Sequence, residues 1–261
     1  MPDAPGGASG DFYNRIQCPG NGKTRKVMRM KVMSGMVAVV MMAASAVYGA
    51  DASLSLDVAS AYVFRGVTYN DGLVAHPGVK VSGLDGLTVG TWGVLNLDDY
   101  DGNAAKDQFS EVDIYGTYAL PIECVGVTLG YTEFVYPTAA IDSDREVSLG
   151  LGKTVGPVDL AATVYYMVDG LYRKQLYSEF TAGKLIDLGA VDLKLGALVA
   201  YLAPDDGEEG FSHFSGTVGL AFGPVSASVV YIGQIDDDVL PDGAGAYDVE
   251  VVGMLSAAVS F

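Results

Sequence analysis

Val249 to Phe261 reads VEVVGMLSAAVSF. Every second residue back from the end is Phe261, Val259, Ala257, Leu255, Gly253, Val251 and Val249, all apolar or small. The residues between, Ser260, Ala258, Ser256, Met254, Val252 and Glu250, are a mixed set. A period of two is the strand period, so the first set shares one face. A strand of this length with one apolar face suits the wall of a membrane barrel, apolar side to lipid and mixed side to lumen. The last strand of a soluble sandwich alternates too, so the rest of the chain has to decide.

Upstream, the same alternation recurs in eleven more segments. They lie near residues 54–64, 74–82, 87–97, 109–120, 125–136, 145–153, 158–168, 175–184, 191–201, 211–222 and 225–235. Residues 158–168 and 191–201 alternate most cleanly, the latter through Val191, Leu193, Leu195, Ala197, Val199 and Tyr201. The connections alternate as well. Short turns such as GLDG (83–86), TVGP (154–157) and Gly223-Pro224 take turns with longer loops such as DDYDGNAAKD (98–107) and APDDGEEG (203–210). The fold expected is all-β: a transmembrane, antiparallel, up-and-down β-barrel of about twelve strands, with short periplasmic turns and longer extracellular loops. Segments of about ten residues are long enough, tilted, to cross a bilayer. Closure in lipid requires the first strand to pair with the last.

Composition agrees. Half of the 261 residues are hydrophobic, yet the net charge is −17. A barrel reconciles the two by placing apolar residues on alternate strand positions and acids in loops. Gly (34) and Tyr (16) are abundant, and tyrosine suits a membrane interface. The acidic balance excludes a nucleic-acid footprint. Of the two cysteines, only Cys124 lies in the barrel segment, so no internal disulfide is expected there.

The N-terminal part reads as an export signal. KTRKVMRMK (23–31) is basic, MVAVVMMAASAV (36–47) is apolar, and Ala50-Asp51-Ala52 is an A-x-A cleavage site. Residues 28–52 are read as a cleaved signal peptide. Residues 1–27 are read as an unstructured extension or as lying before the true start, and 53–261 as the barrel. The location this implies is the bacterial outer membrane, with lipid, lipopolysaccharide and the barrel-assembly machinery as partners. Phe261 is read as the assembly signal.

A resemblance adds to this. Residues 59–98 carry Tyr62, Phe64, Arg65, Gly66, then Asn70-Asp71-Gly72, then Gly90-Thr91-Trp92. With Glu111-Val112-Asp113-Ile114-Tyr115-Gly116 and Phe134-Val135-Tyr136-Pro137, these residues resemble the TorF-type porin family. The loop after Arg65, VTYNDG, departs from the usual Ser-Gln-containing version. The resemblance implies an outer-membrane barrel with a pore function and no defined substrate.

The lumen-facing residues expected to meet solute are Asp57, Arg65, Glu111, Asp113, Tyr115, Glu146, Asp159, Tyr165, Glu179, Lys194 and Glu250. Acids outnumber bases among them, which favours cations. Arg65, at the mouth of a first strand running to Phe64, is expected to face Glu111 or Asp113. The function expected is passive diffusion of small solutes, with cations preferred. A structural anchor or adhesin is the alternative; its mark would be a lumen filled by side chains or a plugging loop. A hydrolase is disfavoured. The chain holds only His76 and His213, and Ser215 stands about 7 Å from His213 along a strand. Neither catalytic residues nor a cofactor is expected. The acidic loops lack the spacing of a calcium loop, so no metal is expected.

Overall fold

The computed structural model describes residues 50–100, 104–139, 141–243 and 246–261. The segment read as a signal peptide lies outside the described residues up to position 49. Asp51 and Ala52, its last residues, already belong to the wall: Ala52 and Phe261 exchange backbone hydrogen bonds of 3.1 and 3.0 Å.

Twelve strands close into one antiparallel barrel. They are β1 (Asp51–Ala59), β4 (Val74–Leu84), β5 (Leu87–Asn96), β6 (Gln108–Leu120), β7 (Gly126–Val135), β8 (Asp144–Val155), β9 (Val158–Asp169), β10 (Leu176–Asp187), β11 (Asp192–Ala203), β12 (Gly210–Phe222), β13 (Val225–Gln234) and β14 (Val251–Ser260). A short hairpin, β2 (Tyr62–Phe64) and β3 (Val67–Asn70), stands apart from the wall as its own two-stranded sheet. Closure runs through the stretch that opened the sequence reading: β14 pairs with β1 from Ser53↔Ser260 to Ala59↔Met254. The wall thus has no open strand edge, as a lipid environment demands.

The outer face is apolar. On β14, Val251, Leu255 and Val259 are all more than half exposed. Leu149, Leu151, Val164, Phe180, Val218, Leu220 and Val229 continue the belt around the barrel. So much exposed aliphatic surface has no place in water and marks the face that lipid covers. Glu133, which strand alternation puts on this outer face, is explained. It pairs with Arg145 on β8, and Arg145 also reaches Asp169 on β9 at 2.9 Å. The trio forms a charged cluster at the loop end of the wall, above the apolar belt.

All five tight turns fall at one end, with both termini of the barrel; the longer connections fall at the other. We call these the turn end and the loop end. Three register shifts, at Val94/Leu95, Arg145/Glu146 and Ala200/Tyr201, sit toward the loop end. Bulges bend and re-aim a wall, and here they surround the inserted hairpin.

The first strand is the main departure from the sequence reading. It ends at Ala59 rather than Phe64. Ser60 still exchanges bonds with Gly253, its N–H to the carbonyl at 2.9 Å and its Oγ from the N–H at 3.0 Å. The small pair Ser60-Ala61 then turns the chain inward. What alternation presented as the end of a wall strand is the first arm of a hairpin inside the lumen.

Candidate functional site: a hairpin across the lumen

The hairpin tip is Arg65-Gly66, both with positive φ (55° and 84°). Two such residues form the tight turn whose twist matches the strands it joins. Gly66 is required by more than its φ. A Cβ there would lie 2.7 Å from Leu240 Cδ2 and 2.9 Å from His213 Nδ1.

The tip lies against the far wall. Six steps around the ring separate β1 from β9, in either direction. Arg65, which follows β1 by only a few residues, meets β8, β9 and β10. Its guanidinium donates in bidentate fashion to Glu146, Nη1 to Oε2 at 2.6 Å and Nη2 to Oε1 at 2.9 Å. Its Cζ also lies 4.6 Å from the Tyr165 ring centroid, 4.4 Å from Tyr177 and 4.7 Å from Phe64. The pair is nearly dry, with side-chain exposures of 12% and 4%. A planar guanidinium suits this double role of paired donor and ring-stacking cation.

The arms are tied down as firmly. The Tyr62 hydroxyl donates to Glu111 on β6 at 2.8 Å. The Tyr62 ring packs among Tyr69, His76 and Trp92, while Phe64 packs on Phe134. The N–H of Thr68 donates to the Ala246 carbonyl at 2.7 Å, and Thr68 Oγ1 accepts from the N–H of Val249 at 3.0 Å. Tyr69 and Tyr172 share a hydroxyl contact of 3.2 Å. Asn70 donates to Asn96 at 3.0 Å and accepts from the N–H of Gly72 at 2.8 Å, closing the exit of the hairpin. Ala59, Tyr62, Val74 and Val94 form the apolar core beneath it. Of the residues that carried the family resemblance, Tyr62, Phe64, Arg65, Gly66 and Asn70 are parts of this inserted element.

Loop tyrosines cap the assembly. Tyr136 donates to Asp144 at 2.8 Å. Burial above all, with Glu111 and Asp144 adding, holds the Tyr136 hydroxyl far above its ordinary titration range. Burial likewise raises Tyr172, against the opposing hydrogen bond from Tyr69. Both stay protonated at any ordinary pH.

Below the hairpin the lumen changes character. One cavity of about 620 Å³ is lined by Gly152, Thr154, Asp159, Thr181, Ser215 and Thr217, among others. A neighbouring one of about 400 Å³ is lined by Tyr115, Thr117, Thr128, Ser148 and Tyr165, among others. The two share Gly152 and Ala161. Small hydroxyl-bearing and glycine positions leave this half of the barrel hollow.

The expected lumen residues divide accordingly. Glu111, Asp113, Glu146, Tyr165 and Glu179 gather around the hairpin, with Tyr165 donating to Glu179 at 3.1 Å. Arg65 belongs with them, but its partner is Glu146 rather than Glu111 or Asp113: the chain turns inward before Phe64, which carries the guanidinium past β6 to the opposite wall. Asp113 Oδ1 is buried without a hydrogen-bond partner among the described residues. Tyr115 and Asp159 line the lower cavities. Asp57 pairs across strands with His76, and Lys194 with Gly219. Glu250 is exposed one residue before β14, its carbonyl accepting from the N–H of Ile232 on β13 at 2.7 Å.

Alternation missed Asp144 and Ser212 as neighbours of the site. His213 bonds not to Ser215 but to Ser212, Oγ to Nδ1 at 3.0 Å, and stacks on Tyr177. Ser212 is the residue added at the β11–β12 register shift, where Ala200 pairs with His213 and Tyr201 with Phe211. Strict alternation cannot reveal a residue whose direction depends on a bulge.

A family model described as a bacterial protein of unknown function (Gcw_chp) matches residues 43–250. No curated protein matches. Among solved structures, the COG4313 outer membrane channel from Pseudomonas putida F1 is similar over 82% of this chain and 96% of its own, with 11% identity and a TM-score of 0.45. LpxR from Salmonella typhimurium is similar over 78% and 99%, with 12% identity and a TM-score of 0.42. Salmonella typhi OmpF in complex with daunomycin is similar over 81% and 97%, with 9% identity and a TM-score of 0.38. Likenesses this distant are of barrel to barrel and carry nothing about activity.

Proposed function

We propose that this chain, which belongs to the Gcw_chp family of bacterial proteins, is a porin-like channel of the outer membrane whose passage is closed by its own β2–β3 hairpin. The turn end faces the periplasm and the loop end the exterior, as in other outer-membrane barrels. The observation that carries the reading is the joining of two unlike halves in one lumen. A hollow vestibule lined by glycine, serine and threonine serves no purpose in an anchor, and it stops directly beneath an element that takes no part in the ladder of the wall. A hairpin that is not part of the wall can leave without breaking the barrel.

When it leaves, the open passage favours cations. Withdrawal of Arg65 uncovers Glu111, Asp113, Glu146 and Glu179 with no base among them, and a ring of carboxylates selects for positive charge. The role is non-enzymatic. Ser212 has no exposed surface and His213 stands against the hairpin tip, which supports no hydrolytic reading. Phe261 serves assembly: its deletion lowers the yield of inserted barrel and leaves transport per inserted molecule unchanged.

The plugged lumen favours one other reading, a permanently closed barrel used as an anchor. Proteoliposome swelling separates the two. Wild-type protein is expected to admit small solutes slowly, and a variant with residues 62–70 replaced by a short Gly-Ser linker is expected to admit them fast. Its reversal potential in a KCl gradient should have the cation-selective sign. Swelling by the linker variant with none at all by wild type favours the anchor, and anion selectivity removes the cation preference.

A further inference from the structure

The seat of Arg65 is a binding site in its own right. Remove the hairpin, and the wall still presents the Glu146 carboxylate, with Tyr165 on β9 and Tyr177 on β10 beside it. Tyr165 and Tyr177 are cross-strand partners with ring centroids 5.8 Å apart. Tyr165 is further fixed by donating to Glu179, which leaves a second carboxylate at the rim. A carboxylate able to accept two parallel N–H bonds, with aromatic faces about 4.5 Å from the cation centre, is the recognition chemistry of a guanidinium. These wall residues come from three adjacent strands, β8, β9 and β10, and from no part of the hairpin. The seat opens below toward the vestibule, because Tyr165 also lines the 400 Å³ cavity.

We infer that Arg65 is a built-in stand-in for the transported solute: the cage of Glu146, Tyr165 and Tyr177 binds small guanidinium-bearing cations, which compete with Arg65 for it and so hold the hairpin out. This inference rests on the channel reading above and names its solute class. The coupling is a population shift. A ligand that binds only the hairpin-out state draws the equilibrium toward it by the whole of its binding free energy there. Simple inorganic cations meet the carboxylates but not the rings in the same way, so they compete less well.

Agmatine is the probe. It carries a guanidinium on a short chain and fits within the vestibule volume. Calorimetric titration into refolded protein in detergent reads binding without reference to conduction. Arg65→Ala is expected to bind agmatine saturably at one site. Wild type, its cage filled, is expected to bind at least about tenfold more weakly. Adding Glu146→Gln to Arg65→Ala is expected to weaken binding by about thirtyfold or more. Adding Tyr177→Leu instead is expected to weaken it severalfold. Should Arg65→Ala fail to refold, as judged by heat-modifiable migration, the linker variant lacking residues 62–70 offers the same empty cage. The inference is overturned by absence of saturable binding to the emptied cage, by equal affinity in wild type, or by indifference to Glu146→Gln. The linker variant also keeps the two readings apart. Conduction without agmatine binding removes the cage and leaves the channel, whereas binding without conduction removes the channel and leaves the cage.

Discussion

The two halves of the lumen share the same twelve strands and solve opposite problems with them. In the loop half, the inward positions are large or ionisable: Trp92, Glu111, Asp113, Phe134, Glu146, Tyr177 and His213. Most of these are buried against a hairpin that crosses the barrel. In the turn half, Thr117, Thr128, Gly150, Thr163, Gly183 and Thr217 line the two cavities. The difference teaches that closure is not a property of the twelve-stranded wall. A wall of this size holds a cavity wherever its inward residues are small, and it becomes solid only where a separate element fills it. It also relocates the acids. The sequence suggested an acid-lined aqueous passage, whereas several of the acids are the docking partners of the plug.

Five variants test how different the halves are. Arg65→Ala is expected to have the largest effect, because it leaves Glu146 buried without its partner, at a cost of about 3–5 kcal/mol. The loss is capped: once the hairpin undocks, Glu146 regains water and stability falls no further. Thermal unfolding should therefore show a lowered Tm together with a leak in swelling assays. Arg65→Ala with Glu146→Ala should recover part of the Tm but none of the closure. Gly66→Val comes next, at roughly 2–3 kcal/mol, since it combines a φ of +84° with a Cβ that meets Leu240 and His213. Its leak should match that of Arg65→Ala although no charge changes. Tyr62→Phe removes the donor to buried Glu111, at about 1–2 kcal/mol. Chemical denaturation should detect it, with closure mostly kept. In the turn half, Gly183→Ala meets nothing nearer than 3.8 Å. It should change stability by less than about 0.5 kcal/mol and alter only the current of a hairpin-free barrel. An effect there as large as that of Gly66→Val would abolish the distinction between the halves.

The same contrast governs what could be read from sequence. The wall was legible because period-two alternation and turn spacing are local, and β14 keeps Val251, Leu255 and Val259 on its outer face. The turn half was legible for the same reason. The hairpin was not, because Leu54, Leu56, Val58, Tyr62 and Phe64 keep one period on both sides of the bend, with Ser60 alone breaking the series. One signal was present. Tyr62-Val63-Phe64, Arg65-Gly66 and Val67-Thr68-Tyr69 are two short β-rich arms around a two-residue turn ending in glycine, the signature of a tight hairpin. What no local pattern could supply was the partner of Arg65. Glu146 is 81 positions away, on the opposite wall, and is turned inward beside a bulge.

Single-channel recording bears most directly on the claim that the hairpin alone closes a hollow barrel. Wild-type protein and the variant lacking residues 62–70 should be refolded alike and inserted into the same planar bilayer. Brief, infrequent openings are expected of the wild type, and a steady ohmic current at the full open level of those openings is expected of the variant. A variant that inserts and stays silent, or one whose current matches that of the wild type, would contradict the account.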